Sequence, residues 1–97
     1  MSNINDTLAQ RAITHGSFKD HANISQHLKF TIRESDGYVF LSNVQKEALS
    51  MILHKIARIV NGNPNEPDHW HDISGYATLA YNEITEEKQS IKNTVDY

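Results

Sequence analysis

The sequence predicts a small all-α domain in which about four helices form a bundle around a central antiparallel helical hairpin. Apolar residues recur at the 3.6-residue period of a helix along its long segments. Turns that contain glycine or proline separate these segments, and no segment makes a convincing strand. A chain of 97 residues suffices for one domain with a modest core. We expect residues 1–87 to form this domain and residues 88–97 to form a polar, frayed tail.

The composition excludes several classes of protein. Nine basic and 12 acidic residues give a net charge of −3, which lacks the basic excess of a nucleic-acid binder. The absence of cysteine excludes disulfides and thiolate metal sites. No apolar run approaches the ~20 residues that span a bilayer, and the polar N-terminus does not resemble a signal peptide. We therefore expect a cytoplasmic protein that binds neither a membrane nor nucleic acid.

Two helices are predicted in the first third of the chain. The first covers residues 7–13, with Asp6 or Thr7 as its N-cap, and Gly16 ends it. The second begins at Ser17 with a sequence that resembles a capping box, and it ends near Glu34. The second helix carries one apolar stripe, formed by Phe18, Ala22, Leu28 and Ile32. His21, Ser25 and Lys29 lie on or beside this stripe.

The predicted hairpin consists of the third and fourth helices. Ser42 and Gln45 form a capping box that begins the third helix, and Gly62 closes it. Residues 61–67 form a proline-bearing loop, after which Asp68 caps a fourth helix that extends to about residue 87. The apolar residues of the third helix are Val44, Ala48, Met51, Ile52, Ile56 and Ile59. Those of the fourth helix are Trp70, Ile73, Ala77, Ala80, Tyr81 and Ile84.

Lys55 interrupts the apolar arc of the third helix. In one interpretation its methylenes pack in the core while its ammonium reaches the surface or Asp72. In the other, Lys55 and Arg58 are the cations of an anion-binding pocket with His54 beside them. Asp72 is open to the same two interpretations, as a structural ion-pair partner or as a functional carboxylate.

The histidines allow several interpretations. His15 stands in a tight turn, and His21 lies on a stripe that should be sealed against other helices. If that stripe faces Lys55, the bundle contains a polar cavity for which Trp70 and Tyr76 are suitable walls against a planar ligand. His71 is expected to face water. A zinc site formed by His15, His21 and a distant aspartate is a further alternative. The candidate ligand-binding residues are Lys55, Arg58, His54, Asp72, His15, His21, Trp70 and Tyr76, and no catalytic or metal-binding residue is assigned.

Three segments, residues 14–18, 45–59 and 68–77, carry a resemblance to a known family. They contain the motifs His-Lys-Ile-Ala-Arg and Asp-His-Trp-x-Asp-Ile-x-Gly-Tyr-Ala. With these motifs the chain resembles a family of short uncharacterised proteins encoded by tailed bacteriophages and prophages, over most of residues 11–81. The resemblance implies a phage or prophage origin, a location in the host cytoplasm and an accessory role during infection.

A more distant resemblance is to the all-α nucleoside-triphosphate pyrophosphohydrolases of the MazG and dimeric dUTPase kind. In those proteins carboxylates on facing helices hold Mg²⁺, which seeks oxygen ligands in near-octahedral geometry. Their Glu-Glu-x-x-Glu and Glu-x-x-Asp pairs do not occur in the third and fourth predicted helices. The carboxylates best placed here are Glu47, Asp68 and Asp72.

Three hypotheses of function follow. The favoured one is a non-enzymatic accessory protein without a cofactor, which binds a host protein, such as a defence protein, or sequesters a small phosphate-bearing ligand. The second is a pyrophosphohydrolase-like enzyme that requires Mg²⁺. The third is a self-associating module, such as a homodimer, that buries the face between Trp70 and Tyr81.

Overall fold

The computed structural model describes the backbone of residues 3–95. It describes the side chains of the same range except those of Thr14 and of residues 87–95. Within this range the chain forms four α-helices and one short 3₁₀-helix and contains no strand, which confirms the predicted all-α class. In chain order the elements are α1 (Ile4–His15), α2 (Phe18–Arg33), the 3₁₀-helix η1 (Asp36–Phe40), α3 (Asn43–Asn61) and α4 (Pro67–Val95).

Helix α1 is longer than the sequence predicts at both of its ends. Its N-cap is Asn3, whose side chain accepts a hydrogen bond from the Asp6 backbone N–H at 3.0 Å. The helix then continues past residue 13 to His15 and ends at Gly16, as predicted. Gly16 has φ of +76°, in the region where residues with a side chain are strained. A Cβ atom at this position would also lie 2.0 Å from the Asn61 carbonyl oxygen.

The predicted starts of α2 and α3 are confirmed. The Ser17 hydroxyl accepts a hydrogen bond from the Asp20 N–H at 3.2 Å, so it caps α2. At α3 the capping box is complete, because the Ser42 hydroxyl accepts from the Gln45 N–H and the Gln45 side chain accepts from the Ser42 N–H. Gly62 ends α3, also as predicted.

Helix α4 begins two residues earlier than predicted. Its first residue is Pro67, a position that suits proline because the first helical residue has no N–H to satisfy. Asp68 is therefore inside the first turn, and its prediction as the N-cap is wrong. The helix continues to Val95. The predicted frayed tail of residues 88–97 stays a prediction, since those side chains and the last two residues lie outside the described part.

Helix α3 lies between its neighbours and packs against both α2 and α4. Two stripes predicted from the sequence are wrong in detail. Phe18 is 80% exposed, and the buried residues of α2 are instead the polar His21 and Ser25. On α4, Trp70 is 56% exposed, whereas the adjacent His69 is only 2% exposed. The side of α4 that faces α3 therefore begins with a histidine rather than with the tryptophan.

None of the described helices combines the length and the apolar content that a bilayer span needs.

Candidate functional site

The main candidate site is a cavity of about 530 Å³ where α1, the start of α2 and the end of α3 meet. Its volume lies within the range of small-molecule sites, which is about 300–1,000 Å³. Its walls combine two arginines and two histidines with apolar groups and the turn glycine. The lining residues are Leu8, Arg11, Ala12, His15, Gly16, Phe18, His21 and Arg58. No carboxylate is among them.

The turn between α1 and α2 is fixed to the end of α3 by Asn61. The Asn61 side-chain N–H₂ group donates to the backbone carbonyls of His15 and Ser17, each at 2.9 Å. The close approach of Asn61 to Gly16 described above completes this contact. Two bonds to one rigid amide hold the last turn of α1 in place. Because Arg11 and His15 lie on that helix, Asn61 determines where both side chains enter the cavity.

His21 and His54 form a contact between α2 and α3 at the floor of the site. His21 Nε2 lies 3.3 Å from His54 Nδ1, and the ring planes are nearly perpendicular, with centroids 4.5 Å apart. Only one of the two nitrogens can carry the shared hydrogen when both rings are neutral. His21 is 4% exposed, and its other nitrogen, Nδ1, has no hydrogen-bond partner among the described residues.

Four histidines near Arg58 are held in the neutral form. Burial lowers the pKa of His15, His21 and His69, and nearby cations, Arg58 among them, lower it further. For His54 burial and then the Arg58 charge lower the pKa to about 4. Neutral imidazoles near a guanidinium avoid like-charge repulsion. Near neutral pH, Arg58 is thus surrounded by polar but uncharged rings.

A second cavity, of about 380 Å³, lies between α3 and α4 and shares His15 and Arg58 with the first. Here the Lys55 ammonium pairs with the Asp72 carboxylate at 2.9 Å, and the Lys55 side chain is only 12% exposed. This hydrogen bond is the main reason that the pKa of Asp72 is lowered. The structural interpretation of Lys55 as the partner of Asp72 therefore agrees with the geometry. The remaining wall residues are Glu66, Asp68 and His69.

The eight residues predicted for the site fall into three groups. His15, His21 and Arg58 line the first cavity, and His54 contacts His21 behind it. Lys55 and Asp72 line the second cavity. Trp70 and Tyr76, predicted as walls, lie outside both.

The two aromatic residues occupy other places on α4. The Trp70 indole N–H donates to the Pro64 carbonyl at 2.8 Å, which fixes the preceding loop. Tyr76 lines a third depression with His71, Asp72 and Leu79, and this depression shares Asp72 with the second cavity. His71 is exposed, as predicted.

Among the described residues, no group of three histidine, aspartate or glutamate side chains is arranged to hold a metal ion. The zinc site suggested by His15 and His21 is therefore not assembled in this part of the chain.

A family model described as "Domain of unknown function (DUF6378)" matches residues 2–84. The chain belongs to this family. The matched range includes every residue that lines the two cavities. No curated protein and no solved structure matches the chain.

Sequence reasoning missed two residues of the site in this DUF6378 chain. Arg11 lies on α1 at helical spacing from Leu8 and His15, and residues three and four apart share one face of a helix. That spacing could have identified Arg11 as a companion of His15. For the side of α4 that faces α3, the apolar pattern of the sequence favours Trp70 over the adjacent His69. The packing of α3 on α4 selects the histidine, and its Nε2 has no hydrogen-bond partner within the described range.

Proposed function

We propose that this chain binds a small phosphate-bearing ligand in the cavity between α1, α2 and α3 and holds it without chemical turnover. One observation carries the proposal. The cavity is lined by two guanidinium groups, those of Arg11 and Arg58, and by no carboxylate. Two positive charges in walls that contain no carboxylate favour an anion as the occupant.

The kinds of side chain in the cavity favour phosphate. A guanidinium can donate two parallel hydrogen bonds to phosphate oxygens, and such charged bonds are about twice as strong as neutral ones. Arg58 has no carboxylate partner, because Lys55–Asp72 is the one ion pair among the described side chains. Its donors are therefore available to a ligand.

The other cavity walls suit the rest of an organic ligand. Leu8, Ala12 and Phe18 supply apolar surface in the same walls, and small-molecule sites combine such surface with a few polar groups. His15 and His21, whose pKa values are lowered by burial, add neutral rings to these walls.

We infer that the predicted antiparallel hairpin is the frame that carries this site. Two contacts support the inference: Ser42 at the start of α3 donates to Glu83 at 2.9 Å, and Lys55 near its end pairs with Asp72. The residue numbers on α4 fall as those on α3 rise, which is the order of antiparallel neighbours. Lys55 then has a structural role, and Arg58 one turn later takes the binding role.

Binding without turnover is supported by the donor groups available. Hydrolysis with Mg²⁺ requires several oxygen ligands around the ion, and the described residues provide no group of three. We place this activity in a phage or prophage accessory protein in the host cytoplasm. The His-Lys-Ile-Ala-Arg and Asp-His-Trp-x-Asp motifs support that origin through the resemblance described above.

A thermal-shift screen tests the proposal. The purified chain is heated with inorganic phosphate, pyrophosphate and nucleoside mono-, di- and triphosphates, each with and without Mg²⁺. We expect phosphate-bearing compounds to raise the melting temperature without Mg²⁺ and to be recovered intact. If stabilisation requires Mg²⁺ and the compound is cleaved, the hydrolase alternative is correct instead. No stabilisation by any compound would exclude a phosphate site.

A further inference from the structure

We propose that two copies of this chain pair through an apolar surface on α3 and α4, on the side of α3 opposite the candidate site. The first observation is how little the single chain buries. Among the described residues the buried apolar side chains are Ala48, Ala57 and Ile59, and no large side chain is less than 2% exposed. A chain that folds alone normally encloses larger groups than two alanines and an isoleucine.

The exposed area and the shape lead to the same conclusion. The chain exposes 7390 Å², whereas a folded monomer of its 11.1 kDa mass exposes about 5,700 Å². Its radius of gyration is 17.6 Å, compared with about 12.5 Å for a compact domain of this length. The excess area is roughly 1,700 Å² per chain. The excess area of two chains together lies within the range of about 2,000–5,000 Å² that obligate homodimers bury in total.

The apolar surface has a regular arrangement along α4. Trp70, Ala77 and Ile84 recur every seven residues, and Tyr81 falls between the last two. At 100° per residue these four side chains lie within about 60° of one another on the helix. Tyr81 is 65% exposed. A seven-residue apolar repeat is the pattern by which helices pair along a seam.

A groove of about 420 Å³ borders this stripe. Ala77, Tyr81 and Ile84 form one wall, and Leu49 and Ile52 of α3 contribute to the other. Stripe and groove together are self-complementary, because the Tyr81 side of one copy has the size and apolar character to lie over the groove of the other. A two-fold symmetric pair requires such a surface, since the same patch meets itself. The net charge of −3 opposes this pairing only weakly.

The surface is separate from the candidate site. Leu49 borders the groove and Arg58 lines the ligand cavity. The two residues are nine positions apart on α3, which places them on opposite sides of the helix. Each copy of the pair would therefore keep a complete and open cavity of its own.

The test is the mass of the full chain in solution, measured by light scattering after size exclusion and by sedimentation at several concentrations. We expect twice the 11.1 kDa chain mass for the wild type. Tyr81→Glu should shift the species to one chain. Leu79→Glu is the matched control, because Leu79 is also apolar and 59% exposed on α4 but lies on the far side from the stripe; it should remain a dimer.

A cross-linking measurement covers the case in which Tyr81→Glu fails to fold. The chain contains no cysteine, so Ala77→Cys introduces the only thiol. Across a two-fold seam this thiol should form a disulfide-linked dimer on mild oxidation, whereas Leu79→Cys should not. The proposal is overturned if the wild type is monomeric at all concentrations. It is also overturned if Leu79→Glu becomes monomeric as Tyr81→Glu does, or if Leu79→Cys forms the disulfide-linked dimer as readily as Ala77→Cys.

Discussion

The Lys55 ammonium on α3 lies 2.9 Å from the Asp72 carboxylate on α4, with the lysine largely buried and the aspartate half exposed. This pair joins the two longest helices at the level of the candidate site. Asp72 lines the cavity between α3 and α4 together with Arg58, Glu66 and Asp68, and the pair engages its carboxylate with a cation other than Arg58. The division of roles between Lys55 and Arg58 follows from this contact.

The two halves of the ion pair should respond differently to substitution. Asp72→Asn leaves a buried ammonium without its counter-ion, whereas Lys55→Met leaves a carboxylate that water can reach. We therefore expect Asp72→Asn to lower the free energy of unfolding more than Lys55→Met. Urea denaturation of the two variants measures the difference. An equal loss, or a larger loss for Lys55→Met, would contradict the assignment of Lys55 as the buried partner.

Acid should destabilise the fold through the neutral histidines. Their pKa values are lower in the folded chain than in the unfolded chain, and that of His54 falls from 6.5 to about 4. The unfolded state thus binds more protons below pH 6.5, so stability is complete above that pH and decreases as the pH falls towards 4. After allowance for solvent screening, His54 alone should account for on the order of 1 kcal/mol.

The measurement is urea denaturation between pH 7 and pH 4.5 for the wild type and for His54→Gln. The variant should lose less stability than the wild type over this range. His71→Gln, a change at an exposed histidine, should follow the wild type. Parallel pH profiles for all three proteins would show that His54 is not the residue that titrates.

Two glycines should respond in opposite directions to alanine. Gly16→Ala places a Cβ against the Asn61 carbonyl at a positive φ, and we expect a loss of about 2 kcal/mol or more. Gly75 lies inside α4 with nothing within 4 Å of an added Cβ, so Gly75→Ala should stabilise by about 0.5–1 kcal/mol. Thermal and urea unfolding measure both changes. Destabilisation of the same size at both sites would contradict the close Gly16–Asn61 contact.

The Asn61 amide should support the site from outside the cavity. Asn61→Ala removes two hydrogen bonds to backbone carbonyls, each worth about 1 kcal/mol. Because these bonds hold the last turn of α1, the variant should also bind phosphate compounds more weakly. Asn65→Ala, in the exposed loop before α4, is the control and should alter neither property. Unchanged stability of Asn61→Ala would contradict the role of Asn61 in positioning the last turn of α1.

The features that the sequence predicted correctly are those determined by local chemistry. The reciprocal bonds of Ser42 and Gln45, the Ser17 cap and the terminating Gly62 need only neighbours within one turn of chain. The contact between Lys55 and Asp72 corresponds to one of the two interpretations of Lys55 that the sequence leaves open, and it too joins residues at a short separation. These features located α2 and α3 to within a residue.

The features that the sequence did not determine depend on which side of a helix meets its neighbour. His69 and Trp70 are adjacent, and hydrophobicity favours the tryptophan, yet α3 packs on the histidine and leaves Trp70 outside. Arg11 enters the site only because Asn61, 50 positions away in the chain, fixes the end of α1. Tertiary contacts, rather than the periodicity of the sequence, determine which side of a helix faces its neighbour.

We propose that Arg58, which has no ion-pair partner among the described side chains, binds phosphate. Calorimetric titration of pyrophosphate into the wild type, Arg58→Gln and Arg33→Gln tests it most directly, because Arg33 is an exposed arginine at the far end of α2. We expect pyrophosphate to bind the wild type and Arg33→Gln with equal affinity and to bind Arg58→Gln at least about tenfold more weakly. No binding to the wild type, or equal affinity for all three proteins, would contradict it.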